Sequence, residues 1–153
     1  MPCLGMPLIL ASAEQLQWER SCPRILAADV IWKLDVYRTS LFLVHVVRED
    51  LRALGETAPA RNIGEQLVRS AGSVSANIAE GYSRSSRVDR LRFFAYALGS
   101  ARECVTWYES IRGTISNDGL DDRLLLLTRI RALLLGFIRS QRMHAREGGV
   151  FEV

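Results

Sequence analysis

The sequence predicts an all-α protein, an up-down-up-down antiparallel four-helix bundle. Apolar residues recur every three or four positions along four segments, short polar or glycine-containing breaks separate these segments, and no segment alternates as a strand would. The 153 residues, 48% hydrophobic and 24% charged, suit one globular domain. We assign the bundle to residues 25–146, a loose N-terminal tail to residues 1–24 and a C-terminal tail to residues 147–153.

The segment before the bundle carries three prolines and two of the three cysteines but no sustained periodicity, so no helix is predicted there. The first helix is expected over residues 29–54, where two apolar stripes run along the chain and Gly55 supplies the stop. His45 falls on the remaining polar face and is expected to be a solvated surface residue. Thr57 and Pro59 supply the cap and the first turn of the next helix.

The second helix, over residues 61–81, is rich in side chains that are small for a helix interior. They are Gly64, Gly72, Ser75, Ala76 and Ala79. A glycine lowers helix stability by about 1 kcal/mol relative to alanine, and close approach of a neighbouring helix is the simplest compensation. We therefore expect this surface to pack closely against another helix.

The third helix begins at Ser86, which forms a capping-box pattern with Asp89 three residues later. Residues 117–119 are expected to break the chain, and the fourth helix is expected over residues 121–142. The first and third helices are apolar over more than the single stripe that a bundle helix buries. Because a homo-oligomer would cover the remainder, we expect the chain to associate with itself.

No motif in the sequence indicates catalysis. It lacks the common nucleophile, nucleotide-binding and zinc-protease patterns, and its three cysteines have no metal-ligand spacing. The two histidines, His45 and His144, lie at positions expected to be solvated. We therefore expect no enzymatic activity, no metal and no cofactor. A hydrolase or nuclease would need clustered carboxylates and a metal, which the sequence does not place.

Two further absences bear on location. No uninterrupted apolar run approaches the roughly 18 residues that cross a bilayer. The apolar segment at residues 8–11 lacks the basic flank and the length of a secretory signal. We therefore expect a cytoplasmic protein that does not enter a membrane.

The most distinctive stretch reads QLVRSAGSVSANIAEGYSR over residues 66–84 and DRLRFFAYALGSARE over residues 89–103. It resembles the bacterial four-helix-bundle family that includes proteins encoded in intervening sequences of 23S ribosomal RNA genes. The matching positions are Gln66, Arg69, Ser73, Ala76, Asn77, Ile78, Ala79, Glu80, Gly81, Arg92, Phe93, Gly99, Ser100, Ala101 and Glu103. Gly72 departs from the pattern, where another apolar or small side chain is more usual.

A related branch is the accessory variability determinant of diversity-generating retroelements, a basic pentameric barrel that binds nucleic acid and a reverse transcriptase. The resemblance therefore implies a homopentamer. It also suggests candidate partners, which are RNA or DNA and a reverse transcriptase or another protein.

Helical spacing sets a polar stripe beside the apolar one on the second helix. Its members are Gln66, Ser70, Ser73, Asn77 and Glu80. In one interpretation these side chains satisfy hydrogen bonds within or between subunits, with Arg69, Arg92 or Arg102 as partners. In the other, the stripe lines a pocket or channel that contacts a ligand. The sequence leaves both open.

The expected topology collects arginines at one end of the bundle, where the second helix ends, the third begins and the fourth ends. These candidate nucleic-acid-binding residues are Arg84, Arg87, Arg90, Arg92, Arg139, Arg142 and Arg146. A ring of subunits would repeat this end as a basic rim that holds phosphates with little sequence preference. The alternative is a solvated, salt-bridged surface.

Two functions follow from these patterns. The leading hypothesis is a non-enzymatic homo-oligomer that acts as a nucleic-acid or ribonucleoprotein accessory through its basic end. The alternative is an oligomeric scaffold for protein partners that makes no direct contact with nucleic acid.

Overall fold

A computed structural model describes residues 10–54 and 57–147, except for the side chains of residues 53, 58 and 144–147. This part is all α-helical and contains no strand, as the periodicity predicts. Its six α-helices are α1 (Ala13–Ser21), α2 (Arg24–Ala27), α3 (Asp35–Ala53), α4 (Ala58–Tyr82), α5 (Arg87–Ser110) and α6 (Asn117–Glu147), and a short 3-10 helix spans Val30–Lys33. The outer parts of both expected tails, residues 1–9 and 148–153, lie outside the described residues.

The predicted caps of α4 and α5 are confirmed. The Thr57 hydroxyl accepts a hydrogen bond from the Ala60 amide at 3.4 Å, and the Ser86 hydroxyl accepts one from the Asp89 amide at 3.4 Å. Each satisfies an amide that the first turn of a helix otherwise leaves without a partner. These two polar side chains therefore fix where α4 and α5 begin.

The start of α6 differs from the sequence prediction. Residues 117–119 were expected to break the chain, but they form the first turn of this helix. The Ser116 hydroxyl accepts a hydrogen bond from the Gly119 amide at 3.1 Å. Because Ser116 provides this cap, the helix begins at Asn117, and the aspartate and glycine that suggested a break lie inside its first turn.

The helix expected over residues 29–54 is interrupted near its start. The Asp29 carboxylate accepts a hydrogen bond from the Ile31 amide at 3.0 Å and begins the 3-10 helix. Leu34 then adopts an extended backbone with ψ of 112°, and α3 starts at Asp35. Because of this break, the 3-10 helix does not continue along the axis of α3.

The expectation of a loose tail is wrong for residues 12–24. Ser12 caps α1 by accepting a hydrogen bond from the Gln15 amide at 3.1 Å, and the Gln15 side chain is fully buried. The Trp18 ring packs on Phe42 of α3, with 5.6 Å between ring centroids. Because α1 covers part of the apolar surface of α3, it is held by tertiary contacts that its own weak periodicity does not indicate.

His45 lies at the surface, as the sequence predicts, but its ring also contacts aromatic side chains. Its ring lies 5.9 Å from Trp18 and 6.1 Å from Phe42, and its Nε2 is 3.5 Å from Glu49 Oε1. The side chain is 41% exposed, so it lies at the edge of the α1–α3 contact. The contact with Trp18 again comes from α1, which covers part of the face on which His45 lies.

The core lies among the four long helices. Each of α4 and α6 contacts both α3 and α5, and α4 packs along α5 over the longest interface. Its largest fully buried side chains include Phe42, Leu67, Phe94, Tyr108 and Leu134. The Phe94 and Phe137 rings stack with 4.1 Å between centroids and so join α5 to α6.

Two glycines of α4 lie where a neighbouring helix comes close. A Cβ at Gly81 would lie 2.8 Å from Phe94 Cδ2, and one at Gly64 would lie 2.8 Å from Leu51 Cδ2. At Gly72 the same atom would meet nothing within 4 Å. The expected close packing is therefore confirmed at Gly64 and is wrong for Gly72, and Gly81, which the prediction did not name, also lies at a close contact.

Candidate functional site

The structure brings the start of α5 to the end of α6. Arg87 Nη1 donates a hydrogen bond to the backbone carbonyl of Gln141 at 3.2 Å. Arg90 Nη2 donates to the carbonyl of Arg84 at 2.9 Å. Because carbonyl groups carry no net charge, these contacts position Arg87 and Arg90 without neutralising them.

Two other arginines of this end are paired with carboxylates. Arg84 forms an ion pair with Glu80, and Arg92 pairs with Asp89 at 2.9 Å. Their guanidinium carbons lie 5.2 and 5.7 Å from the centroid of the Phe93 ring. Exposed ion pairs of this kind contribute only about 0 to 1 kcal/mol, so a phosphate can compete for the same groups.

The remaining arginines of the predicted basic end lie on α6. Arg139 and Arg142 are exposed, and neither has a carboxylate partner among residues 10–54 and 57–147. Arg146 belongs to the last turn of the helix, and its side chain lies outside the described part. We define the basic end as the surface formed by Arg84, Arg87, Arg90, Arg92, Arg139 and Arg142.

Family-motif side chains bond to each other between α4 and α5. Arg69 Nη2 donates to Gln66 Oε1 and, across the helix pair, to Glu103 Oε1 at 3.2 Å. Trp107 Nε1 donates to the same Glu103 oxygen at 3.2 Å. Gln66, Arg69 and Glu103 therefore form one network that links the two helices.

A second group of polar side chains lies further along the same helix pair. Ser100 Oγ donates to Ser73 Oγ at 3.1 Å, and Asn77 Nδ2 donates to the Ser73 carbonyl at 2.8 Å. The Cys104 thiol donates to Ser70 Oγ at 3.1 Å. Burial raises the pKa of Cys104 to about 11, so the thiol stays protonated at neutral pH.

The end of the polar stripe meets the basic end. Glu80 pairs with Arg84, and Gly81 lies against Phe94. Arg92 and Arg102 were candidate partners for the stripe, but neither bonds to it in the described part. Gln66, Ser70, Ser73, Asn77 and Glu80 therefore find hydrogen-bond or ion-pair partners within the chain, one of the arrangements that the sequence left open.

Sequence reasoning missed a buried polar cluster beneath α1. Arg129 of α6 donates to Gln15 Oε1 at 2.8 Å and to Asp35 Oδ2 at 2.7 Å. Gln15 Nε2 in turn donates to Thr39 Oγ1 at 3.1 Å. A signal existed, because Arg129 interrupts an apolar run and a buried guanidinium requires partners.

A second missed cluster joins three of the long helices. Tyr108 Oη donates to Asp50 Oδ2 at 2.7 Å, and Arg123 Nε donates to the same oxygen at 3.0 Å. Burial, followed by the charge and hydrogen bond of Asp50, raises the pKa of Tyr108, so the phenol stays protonated. Asp50 accepts hydrogen bonds from both Tyr108 and Arg123. The cluster therefore links α3, α5 and α6 and is not a reactive group.

An apolar groove of about 500 Å³ lies between the end of α3 and the start of α4. It is lined by Leu51, Leu54, Ala60, Arg61, Gly64, Glu65, Val68 and Arg69. It offers no hydroxyl, thiol or imidazole and only one carboxylate, so it suits apolar side chains of a partner better than a reacting substrate.

The described residues contain no group of three or more histidine, cysteine, aspartate or glutamate side chains that could hold a metal ion. Across the same ranges, no helix has the length and apolar character needed to span a membrane.

One known protein family matches most of this chain. The family model of the 23S rRNA-intervening sequence protein matches residues 32–136. The chain belongs to this family. The resemblance drawn from the motif residues is therefore confirmed, and the match extends from the 3-10 helix through most of α6.

A solved structure is similar to about two thirds of the chain. It is the crystal structure of a protein with unknown function from the S23 ribosomal protein family of Bacteroides thetaiotaomicron. The TM-score is 0.61 and the sequence identity is 26%, with 67% of this chain and 97% of that chain covered. No curated protein matches the sequence. The relation to the retroelement accessory protein stays a prediction.

Proposed function

We propose that the chain is a non-enzymatic, homo-oligomeric accessory protein of the cytoplasm that binds RNA or DNA through its basic end. One observation carries the proposal. Arg87, Arg90, Arg139 and Arg142 come from two helices, gather at one end and have no carboxylate partner in the described part. Arginine contacts to phosphates supply most non-specific nucleic-acid binding, so little sequence preference is expected.

We infer that α3 to α6 form an up-down-up-down antiparallel bundle and that copies of it form a ring, which the resemblance implies has five members. The contacts of α4 and α6 with both α3 and α5 support the bundle. Large apolar side chains left exposed on one chain, among them Tyr96 at 53% and Leu125 at 54%, support association. A ring would present one basic end per subunit.

Direct measurement of RNA affinity tests the basic end. The triple variant Arg87→Gln, Arg139→Gln and Arg142→Gln should weaken binding of a labelled RNA duplex and flatten its salt dependence. Wild-type affinity should fall by roughly three to five decades between about 50 and 200 mM salt if six to ten phosphate contacts form. Fluorescence anisotropy at several salt concentrations measures both quantities.

The matched control removes arginines from α3 instead. Arg48→Gln with Arg52→Gln takes away exposed positive charge far from the basic end and should leave the salt slope unchanged. A wild-type oligomer that binds no RNA or DNA at low salt would contradict the proposal.

The apolar groove between α3 and α4 favours a second function, an oligomeric scaffold for a reverse transcriptase or another protein partner. Its lining is mainly apolar and its rim carries both signs of charge, which is typical of a protein contact. This function takes the place of the first if nucleic acid does not bind.

A further inference from the structure

The surface between α5 and α6 continues away from the basic end as a groove. A cavity of about 250 Å³ in it is lined by Leu98, Arg102, Thr128, Arg131, Ala132 and Leu135. On α6, Arg131, Leu135, Arg139 and Arg142 follow each other at steps of four, four and three residues, which sets them on one face of the helix. Arg131 therefore lies in line with Arg139 and Arg142 of the basic end, and Arg102 of α5 lines the same cavity as Arg131.

The two helices that form this groove carry no acidic residue along it. On α5 none occurs between Asp89 and Glu103, and on α6 none occurs between Asp122 and Glu147. Glu103, at the far limit, is bound by Arg69 from α4. The groove therefore presents only positive charge to solvent.

Arg131 also has a hydrogen-bond donor that the chain leaves unused. Its Nη2 donates to Thr128 Oγ1 at 3.0 Å, but its Nε is buried and has no acceptor in the described part. Arg102 likewise has no carboxylate partner among residues 10–54 and 57–147. Arg102 and Arg131 line the same cavity, and an oxyanion bound in it would accept hydrogen bonds from the exposed nitrogen atoms of these guanidinium groups.

We propose that Arg102 and Arg131 bind a phosphate group of the same nucleic acid that the basic end binds, so that the strand follows the α5–α6 groove. This rests on the proposed function. Ala132 on the lining is small and exposed, which lets a sugar-phosphate backbone approach the helices. From Arg131 to Arg142 the helix rises about 16 Å, which gives room for several phosphates of one strand.

The test compares two pairs of arginines by anisotropy with a short labelled RNA duplex and a labelled single strand. Arg102→Gln with Arg131→Gln should weaken binding. The plot of log affinity against log salt concentration should become shallower by about 1 to 2, because each phosphate contact contributes a little under one unit to its slope. Arg48→Gln with Arg52→Gln, the matched pair on α3, should leave the slope unchanged. Light scattering and thermal melting establish that the variants keep the wild-type oligomer and fold.

A second variant keeps both arginines and changes only the charge of the lining. Ala132→Glu places a carboxylate in the cavity that both arginines line and should reduce affinity, whereas Ala132→Gln, of nearly the same shape, should not. Normal RNA binding and an unchanged salt slope in the Arg102 and Arg131 variant would overturn the groove proposal while leaving the basic end intact. Absence of RNA binding by the wild-type protein would instead overturn the proposed function and the groove proposal together. Binding of inorganic phosphate but not RNA would show a small-anion site and overturn the nucleic-acid assignment.

Discussion

Arg129 shows how one side chain can connect distant parts of the sequence. It is 7% exposed, and it bonds to Gln15 from α1 and to Asp35 at the start of α3. Asp35 keeps 39% of its side chain exposed, so its charge remains partly hydrated without Arg129. The side-chain amide of Gln15 is fully buried and has no such access to water. The free-energy cost of replacing Arg129 therefore depends mainly on Gln15.

Replacing Arg129 by methionine should lower the free energy of unfolding by about 1 to 3 kcal/mol. The Gln15 carbonyl oxygen would lose its donor in a buried position, which costs approximately that much. Urea denaturation at neutral pH measures the change. Arg112→Met is the matched control, because Arg112 pairs with Glu109 on an exposed surface and its loss should leave the midpoint nearly unchanged. Equal midpoints for wild type and the Arg129 variant would contradict this account.

At the scale of elements, α4 combines two kinds of glycine in one helix. Gly81 is buried against Phe94 of α5, and a Cβ there would lie closer than atoms tolerate. Gly72 faces open space in the single chain. The sequence cannot distinguish the two positions, because both fall in the same small-residue segment.

Alanine at these two positions should have opposite effects on stability. Gly81→Ala should lower the melting temperature, since overpacking costs about 1 to 3 kcal/mol and exceeds the gain in helix propensity. Gly72→Ala should raise it, because alanine favours the helix by up to about 1 kcal/mol and meets no neighbour. Differential scanning calorimetry of the two variants side by side checks the sign of each change. A stabilised Gly81 variant would show that α4 and α5 are further apart there.

The contact of α1 with α3 changes what the apolar surface of α3 implies. The periodicity alone left two apolar stripes on this helix and suggested that another subunit covers one of them. Trp18 occupies part of that surface within the chain, 5.6 Å from Phe42 between ring centroids. The expectation of an oligomer therefore depends more on exposed apolar residues of α5 and α6 than on α3.

At the scale of the whole molecule, the protein should be an oligomer of about five chains in solution. A single chain has a mass of 17.2 kDa. Light scattering coupled to gel filtration should give about five times that mass at micromolar concentration, and a mass of one chain would contradict the prediction. Tyr96→Glu should reduce the mass because it places a charge on an exposed apolar residue of α5. Ile25→Glu, on an even more exposed apolar residue before the family-matched region, is its control.

The sequence by itself determined the helical class, the presence of the four long helices, and the caps of α4 at Thr57 and of α5 at Ser86. Periodicity and capping are local properties and can be read from the sequence. It also determined the family, since the motif over residues 66–103 is long and specific. Local patterns do not report which elements touch, however. They gave no sign that α1 folds onto α3.

Tertiary structure decided the environment of the charged residues. Nineteen arginines look alike in the sequence, but packing buries Arg129 against Gln15, ties Arg123 to Asp50 and leaves Arg102 and Arg131 beside a cavity without an acid. The physical reason is that the free energy of a charge depends on its burial and on partners that lie far away in the chain. Helix spacing places a residue on a face, and only the neighbouring helix determines what that face meets.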